Sequence, residues 1–184
     1  ASDVYKRQAQ DLAKKIEVIF GKDSFELIHS RFIDTERIRK EQELLSLIGK
    51  GGSRPNRKIY IGTQVIEQSL DIDFDVMVTE LAPIDLILQR AGRLQRHKLK
   101  RNKYYKKATL YVIGTSDTFD FDEGSTYVYS PYILARSQYF LPSEITIPDD
   151  LSKLVQLVYS DSEINISDDC KIKYDPVSYT HLTL

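Results

Sequence analysis

The chain has 184 residues, of which 41% are hydrophobic and 29% charged, and its formal net charge is −1. These proportions fit one globular domain with an extension and exclude an intrinsically disordered chain. The single cysteine, Cys170, excludes an internal disulfide and a cysteine-based zinc site; because the chain also has no apolar run of membrane-spanning length, we expect a cytoplasmic protein without membrane contact.

Charge is distributed unevenly along the chain. Residues 89–107 contain nine Lys or Arg and no Asp or Glu, whereas the charged residues within 115–169 are mostly acidic. A basic stripe in a nearly neutral protein favours contact with a polyanion at one place. Arg90, Arg93 and Arg96 recur at spacing three, which predicts one side of a helix and its continuation facing a polyanion; a solvated basic face is the alternative.

The two ends of the chain look foreign to the rest. Residues 1–8 and 177–184 resemble peptides translated from sequencing-adapter DNA, so we expect non-native ends on a piece of a larger protein. Between them we expect one domain over residues 9–115 and an acidic, mainly helical extension over residues 116–176.

Hydrophobic periodicity predicts an alternation of helices and strands. The strands are expected at residues 25–28, 58–62, 74–81 and 108–114. The helices are expected at residues 10–20, 35–48 (capped by Asp34 and ended by glycines), after Pro83, 131–141 and 151–159, with a turn and short helix at 63–69 and an acidic loop at 117–126. This alternation predicts an α/β fold with a parallel sheet flanked by helices, which binds ligands at the carboxyl ends of its strands.

Three polar stretches follow predicted strand ends, and together they resemble a known family. They are HSRF at residues 29–32, IGTQVIEQSLDIDFD at residues 61–75 and TELAPIDLILQRAGRLQRH at residues 79–97. In this order they resemble motifs IV, V and VI of superfamily two nucleic-acid helicases and translocases. Within that superfamily they look like the CRISPR-associated helicase–nuclease of type I systems, and residues 129–141 and 147–159 resemble the same family's continuation.

The resemblance implies a RecA-like fold of the P-loop NTPase type, the second of two motor domains, with ATP between them. By motif position, Arg93 and Arg96 are arginine fingers that neutralise charge on the transferred phosphoryl group, and Gln89 is their polar partner. The lysine-rich continuation of this stretch, residues 98–107, is either a strand-tracking surface or a solvated basic loop.

Further cofactor-binding residues follow from the same resemblance. Asp71 is assigned to the position where a carboxylate accepts hydrogen bonds from the ribose hydroxyls of ATP. Gln68 is assigned to the position that senses either the nucleic acid or ATP, and Gly92 is assigned to the cofactor site. Arg90 is assigned there too, with an interdomain or structural contact as the alternative. At position 95 the family pattern has histidine where this chain has Gln95, from which we expect little effect on ATP chemistry.

Nucleic-acid-binding residues are implied at two strand ends. Thr63 and Gln64 follow the second predicted strand, where a short hydroxyl and an amide approach a backbone phosphate. Ser30 and Arg31 follow the first predicted strand and are assigned the same role.

No metal site is predicted in this chain. Asp71, Asp73 and Asp75 alternate, but no further acidic or histidine ligand is close in sequence, and neither His29 nor His97 adds to a cluster. The resemblance implies that Mg²⁺ accompanies ATP and is held mainly by the first motor domain.

The resemblance thus implies the C-terminal motor domain of an ATP-dependent single-stranded DNA translocase and helicase that acts in CRISPR type I interference. The implied partners are single-stranded DNA, an RNA-guided surveillance complex, and the first RecA-like domain and HD nuclease of the same prokaryotic chain. The Gly-Lys-Ser/Thr phosphate loop and the nuclease are missing from the 184 residues, so we expect this piece alone to be inactive. The alternatives are another superfamily two motor, in repair or restriction, and a non-catalytic nucleic-acid-binding module.

Overall fold

A computed structural model of the chain describes residues 2–28, 34–62 and 71–166. The chain divides into two compact units, Ala1–Val76 with Arg93–Thr109 and Met77–Gly92 with Leu110–Leu184. The predicted nucleic-acid residues Thr63, Gln64, Ser30 and Arg31 lie outside the described residues, and so do Gln68, the predicted turn and short helix at 63–69, and the end segment 177–184.

The first unit is built on two parallel strands. It contains α1 (Ser2–Phe20), β1 (Phe25–Ile28), α2 (Asp34–Ile48) and β2 (Ile59–Gly62). β1 and β2 pair in parallel, with Phe25 opposite Ile59 and Ile28 opposite Gly62. This parallel pair confirms the predicted α/β class, because parallel strands need a crossover connection, which α2 supplies.

Helices cover both faces of this strand pair. Ala9 and Ala13 of α1 pack with Ile61, while Leu44 and Ile48 of α2 pack with Ile28. Successive side chains of a strand point to opposite faces, so the alternation along β1 and β2 gives each helix its own apolar surface. α1 begins at Ser2, eight residues before the predicted start at Gln10, whereas its predicted end at Phe20 is confirmed.

The second unit carries the remaining elements. They are β3 (Val76–Glu80), α3 (Ile84–Ala91), β4 (Thr109–Ile113), α4 (Glu123–Val128), α5 (Pro131–Phe140) and α6 (Leu151–Tyr159). β3 pairs with β4, and Leu81 N donates to Ile113 O at 2.8 Å. The helix α4 overlaps the end of the acidic loop predicted at residues 117–126. The Asp122 side chain accepts a hydrogen bond from Ser125 N and so caps the start of this helix.

α3 is the central helix of the second unit. Its Ile84 and Leu88 pack against Leu154 and Val158 of α6, and its Ile87 packs with Leu134 of α5. No helix within the described ranges combines the length and apolar character that a membrane crossing requires.

Candidate functional site

The helix α3 ends before the predicted arginine fingers. Gly92 caps it in the right-handed helical region, with φ −63° and ψ −6°, and Gly92 N donates to Leu88 O at 2.9 Å. The prediction assigned Arg90, Arg93 and Arg96 to one side of a helix and its continuation, and the structure shows where the helix gives way to that continuation. Only Arg90 belongs to the helix, because the helix ends at Ala91 and the chain then follows a different hydrogen-bonding pattern.

Arg90 is engaged within the second unit. Its Nη1 donates to Thr79 Oγ1 at 2.7 Å and to the backbone oxygen of Glu80 at 3.2 Å. These contacts tie the last turn of α3 to β3. The side chain thus makes the structural contact that was predicted as the alternative, and its assignment to the cofactor site remains a prediction.

The arginine segment beyond the helix, residues 93–97, runs beside residues 73–75 in the first unit. Phe74 N donates to Arg93 O at 2.8 Å, and Gln95 N donates to Phe74 O at 2.9 Å. Gln95 adopts φ +46°, a conformation that few residues other than glycine adopt, and its Nε2 donates to Tyr105 O at 2.8 Å. Backbone pairing therefore fixes the path of the segment.

This pairing brings Asp71 to Arg96 and His97. Arg96 Nε lies 3.1 Å from Asp71 Oδ1, and His97 Nε2 lies 3.2 Å from the same oxygen. Although 47% of the Asp71 side chain is exposed, its Oδ1 is buried and accepts no hydrogen bond from any residue that the structure describes. The carboxylate and the two basic groups are thus close in space without the angles of a hydrogen bond.

Arg93 is a half-buried cation in the same cluster. Its Nε is buried and has no hydrogen-bond partner among the described residues. Burial, followed by the neighbouring Arg96, lowers the pKa of Arg93, while Asp71 opposes the shift. Guanidinium groups keep their charge in proteins, so a cation that is repelled by Arg96 and retains an unused donor suits an anionic ligand.

A second arginine–carboxylate cluster supports this one, and sequence analysis did not identify it. Arg101 Nη2 donates to both carboxylate oxygens of Asp73 at 2.7 Å, and its Nη1 contacts Asp75 Oδ1. Arg54 Nη1 donates to Asp73 Oδ2 at 3.1 Å, and Arg54 Nη2 to Asp75 Oδ1 at 3.3 Å. The alternation of acidic residues was the only signal in the sequence; nothing there indicated the two arginines.

The predicted site residues therefore fall into groups. Asp71, Arg93 and Arg96 are brought together in the first unit, where His97 joins them. Gln89 is exposed on α3 in the second unit. Across residues 2–28, 34–62 and 71–166, no three His, Cys, Asp or Glu residues are grouped so that they could hold a metal ion.

Comparison with known proteins gives one consistent result. The family model described as CRISPR-associated nuclease/helicase Cas3, C-terminal, matches residues 5–99, slightly more than half of the chain. The chain is 58% identical over 161 residues to a CRISPR-associated nuclease/helicase Cas3 of Streptococcus thermophilus, and covers 17% of that protein. It is 41% identical over 137 residues to a CRISPR-associated endonuclease/helicase Cas3 of Thermus thermophilus, and covers 15% of it.

Solved structures agree in fold. The structure of T. fusca Cas3 with ADP matches 94% of this chain at a TM-score of 0.78 and 30% identity, and the chain covers 20% of it. A structure named as an RNA-guided surveillance complex of CRISPR, pre-nicking, matches 90% of this chain at a TM-score of 0.76 and 30% identity, and the chain covers 22% of the matched protein. The predicted RecA-like α/β fold is thereby confirmed.

Proposed function

This chain belongs to the family of the CRISPR-associated nuclease/helicase Cas3, whose C-terminal part it matches, and we propose that it is the second motor domain of an ATP-dependent single-stranded DNA translocase and helicase. The motor acts with a nuclease to degrade DNA in CRISPR type I interference. The chain spans about a fifth of the length of the relatives it matches. We therefore assign the first motor domain and the nuclease to the full-length protein.

The observation that carries this proposal is the grouping of Asp71, Arg93 and Arg96. Arg93 keeps a buried Nε without a partner in the described chain, and Arg96 lies 3.1 Å from a carboxylate. Two cations with available donors suit a triphosphate, and an acceptor beside them suits ribose hydroxyls. A solvated basic face would not bury a guanidinium nitrogen.

The chemistry assigned to these residues is charge neutralisation. In phosphoryl transfer, negative charge spreads over the transferred group, and an arginine placed there raises the rate by about 10³ to 10⁵. Arg93 and Arg96 supply that charge when the two motor domains close, Gln89 and Gly92 lie by motif position near the phosphates, and Asp71 orients the nucleotide. The first motor domain supplies the phosphate loop and most of the Mg²⁺ ligands.

Contact with single-stranded DNA is assigned to the carboxyl ends of β1 and β2. Ile28 and Gly62, the last residues of β1 and β2, are paired across the two strands. In the sequence, Ser30 with Arg31 and Thr63 with Gln64 come shortly after these two strand ends. Side-chain hydroxyl, amide and guanidinium groups commonly bind backbone phosphates. Gln68, four residues after Gln64, is assigned by motif position the role of sensing either ATP or DNA.

The partners follow from the same family. A relative in a structure named as an RNA-guided surveillance complex supports recruitment by such a complex. The nuclease partner, of HD type, and the first motor domain are assigned to the same full-length chain, in the cytoplasm of a prokaryote. The structures of T. fusca Cas3 with ADP, AMPPNP and ATP support ATP as the nucleotide.

The test is arginine replacement in the full-length protein. Arg93→Ala and Arg96→Ala should each lower DNA-stimulated ATPase by about 10³-fold or more, with DNA affinity within about threefold of wild type. Arg39→Ala, which removes an exposed arginine of α2 outside the basic stretch, is the control and should leave both quantities unchanged. If DNA affinity falls while ATPase is unchanged, the site belongs to a non-catalytic nucleic-acid-binding module instead.

A further inference from the structure

The buried carboxylate of Asp73 contacts the backbone of the arginine segment directly. Arg96 N donates to Asp73 Oδ1 at 3.1 Å, and His97 N donates to Asp73 Oδ2 at 3.3 Å. Asp73 is 0% exposed. Amide-to-carboxylate hydrogen bonds are charge-assisted and short-ranged, so they fix the orientation of the two peptide groups that carry the predicted finger and His97.

Two arginines hold this carboxylate in place. The Arg101 side chain is 8% exposed and donates to both oxygens of Asp73 at 2.7 Å. Arg54 donates to Asp73 Oδ2 at 3.1 Å and to Asp73 O at 2.8 Å, and it adopts φ +42°. A fully buried carboxylate is tolerated only when it is paired and hydrogen-bonded, and here two cations and two amides provide both.

Backbone hydrogen bonds around Asp73 link the end of α2 to the arginine segment. Asp73 N donates to Ile48 O at 3.0 Å at the end of α2, and the neighbouring Phe74 exchanges two backbone hydrogen bonds with the arginine segment. Asp71, two residues before Asp73, faces Arg96. The same short stretch therefore fixes both the carboxylate and the arginine of the candidate site.

We propose that Asp73, held by Arg101 and Arg54, is a positioning residue that sets the backbone of Arg96 and His97 and thereby aligns the Arg96 guanidinium for ATP hydrolysis. This inference rests on the proposed function, since alignment matters only if Arg96 acts on the nucleotide. Asp73 contacts no substrate atom in this proposal. Misplacement of a catalytic group by about 1 Å can cost about 10²-fold in rate, which sets the size of the expected effect.

The test uses Asp73→Asn in the full-length protein, with kcat per nucleotide-binding site determined by titration with a non-hydrolysable ATP analogue. We expect kcat to fall by about 10- to 100-fold while KM for ATP and DNA affinity stay within about threefold. Asp11→Asn is the control. The Asp11 side chain is 69% exposed and pairs with Lys14 on α1, away from the two arginines that hold Asp73, so its kcat should stay within about threefold of wild type.

The double variant Asp73→Asn with Arg96→Ala separates positioning from simple stabilisation. If Asp73 acts through Arg96, adding Asp73→Asn to Arg96→Ala should lower kcat by less than about twofold further, because effects of residues that act as a unit do not add. Multiplicative losses, or a kcat for Asp73→Asn within threefold of wild type, would overturn the proposal. Arg101→Lys is a milder variant for the case in which Asp73→Asn folds poorly. It keeps the positive charge but loses the planar guanidinium group that binds Asp73, and it should also lower kcat at constant KM.

The outcomes also distinguish this inference from the proposed function. If Arg96→Ala retains full ATPase, the proposed function fails and Asp73 has no finger to position. If Arg96→Ala abolishes ATPase while Asp73→Asn and Arg101→Lys leave kcat per site unchanged, only the positioning role fails.

Discussion

Arg96 Nε lies 3.1 Å from Asp71 Oδ1, so the predicted finger and the predicted ribose ligand are ion-paired with each other. The pair is about half exposed, with 42% of the Arg96 side chain and 47% of the Asp71 side chain accessible. Exposed pairs contribute about 0 to 1 kcal/mol, so a triphosphate can compete with Asp71 for Arg96 at small cost. Variants of Asp71 therefore report on the nucleotide rather than on stability.

Replacement of Asp71 should remove discrimination at the ribose. The wild-type full-length protein should use 2′-deoxyATP or 3′-deoxyATP about tenfold less efficiently than ATP, because a hydrogen bond to a charged group contributes about 1.5 to 3 kcal/mol. In Asp71→Ala the kcat/KM ratio between ATP and the deoxynucleotide should approach one. A variant that keeps the wild-type ratio for both deoxynucleotides would contradict the ribose assignment.

Gly92→Ala should separate a ligand contact from a folding requirement. Gly92 has φ −63°, and an added Cβ would meet Gln89 O at 3.4 Å and Leu88 O at 3.5 Å, which are ordinary contacts. The melting temperature should therefore stay unchanged or rise slightly, because alanine restricts the unfolded chain. If the nucleotide approaches Gly92, KM for ATP should rise about tenfold or more; an unchanged KM would argue against its assignment to the cofactor site.

Arg136→Ala should destabilise the second unit. The Arg136 side chain is buried and donates to the backbone oxygens of Leu157, Val158 and Ser162, at the end of α6. Its removal leaves the buried carbonyl of Val158 and the part-buried carbonyls of Leu157 and Ser162 without this donor. A buried acceptor that loses its donor costs about 1 to 3 kcal/mol, and a part-buried one costs less.

The unfolding free energy of Arg136→Ala should accordingly fall by about 3 kcal/mol or more in denaturant titration. The control is Arg39→Ala, which removes an exposed pair with Glu43 within one helix and should cost less than about 0.5 kcal/mol. Equal effects of the two variants would show that the Arg136 contacts do not stabilise the fold.

Glu80→Gln should raise stability at neutral pH. Burial first, and then the nearby Asp122, raise the pKa of Glu80 above its ordinary value of 4.5, against the opposing charge of Arg90. A carboxyl with a raised folded pKa stabilises the fold below its ordinary pKa, and that contribution is lost as pH rises through the folded pKa.

The neutral variant should therefore melt higher than wild type at pH 7, and the difference should shrink as pH falls and vanish below about pH 4. Thermal unfolding of both proteins from about pH 3 to about pH 8 measures this difference. Glu163→Gln, the same substitution at an exposed residue, is the control. A difference that grows on acidification would contradict the direction of the shift.

The 184-residue chain by itself should show no DNA-stimulated ATPase. It carries the predicted fingers but no Gly-Lys-Ser/Thr loop in its sequence, so half of the site is missing. A coupled phosphate-release assay measures this, with circular dichroism as the check that the sample is folded. Turnover that persists after separation from contaminating ATPases, and that disappears in Arg96→Ala, would contradict the assignment to one half of a two-domain site.

The sequence by itself determined the fold class, most helices and strands, and the family. Its signals are local: short apolar runs at β1 and β2, glycines after α1 and α2, and motif residues at fixed spacing. Motif position also predicts Asp71, Arg93 and Arg96 as site residues, and their roles remain predictions. The expected boundary at residue 115, between the α/β domain and the acidic extension, remains a prediction.

Only the tertiary structure decided which side chains meet. Arg101 and Arg54 lie 28 and 19 residues from Asp73, and no periodic pattern relates residues at such separations. The backbone pairing of Phe74 with Arg93 and Gln95, just beyond the end of α3, likewise joins residues that are far apart in sequence. Burial of a charge has to be balanced by partners that the fold brings together, so the positions of these partners follow from packing and not from local sequence.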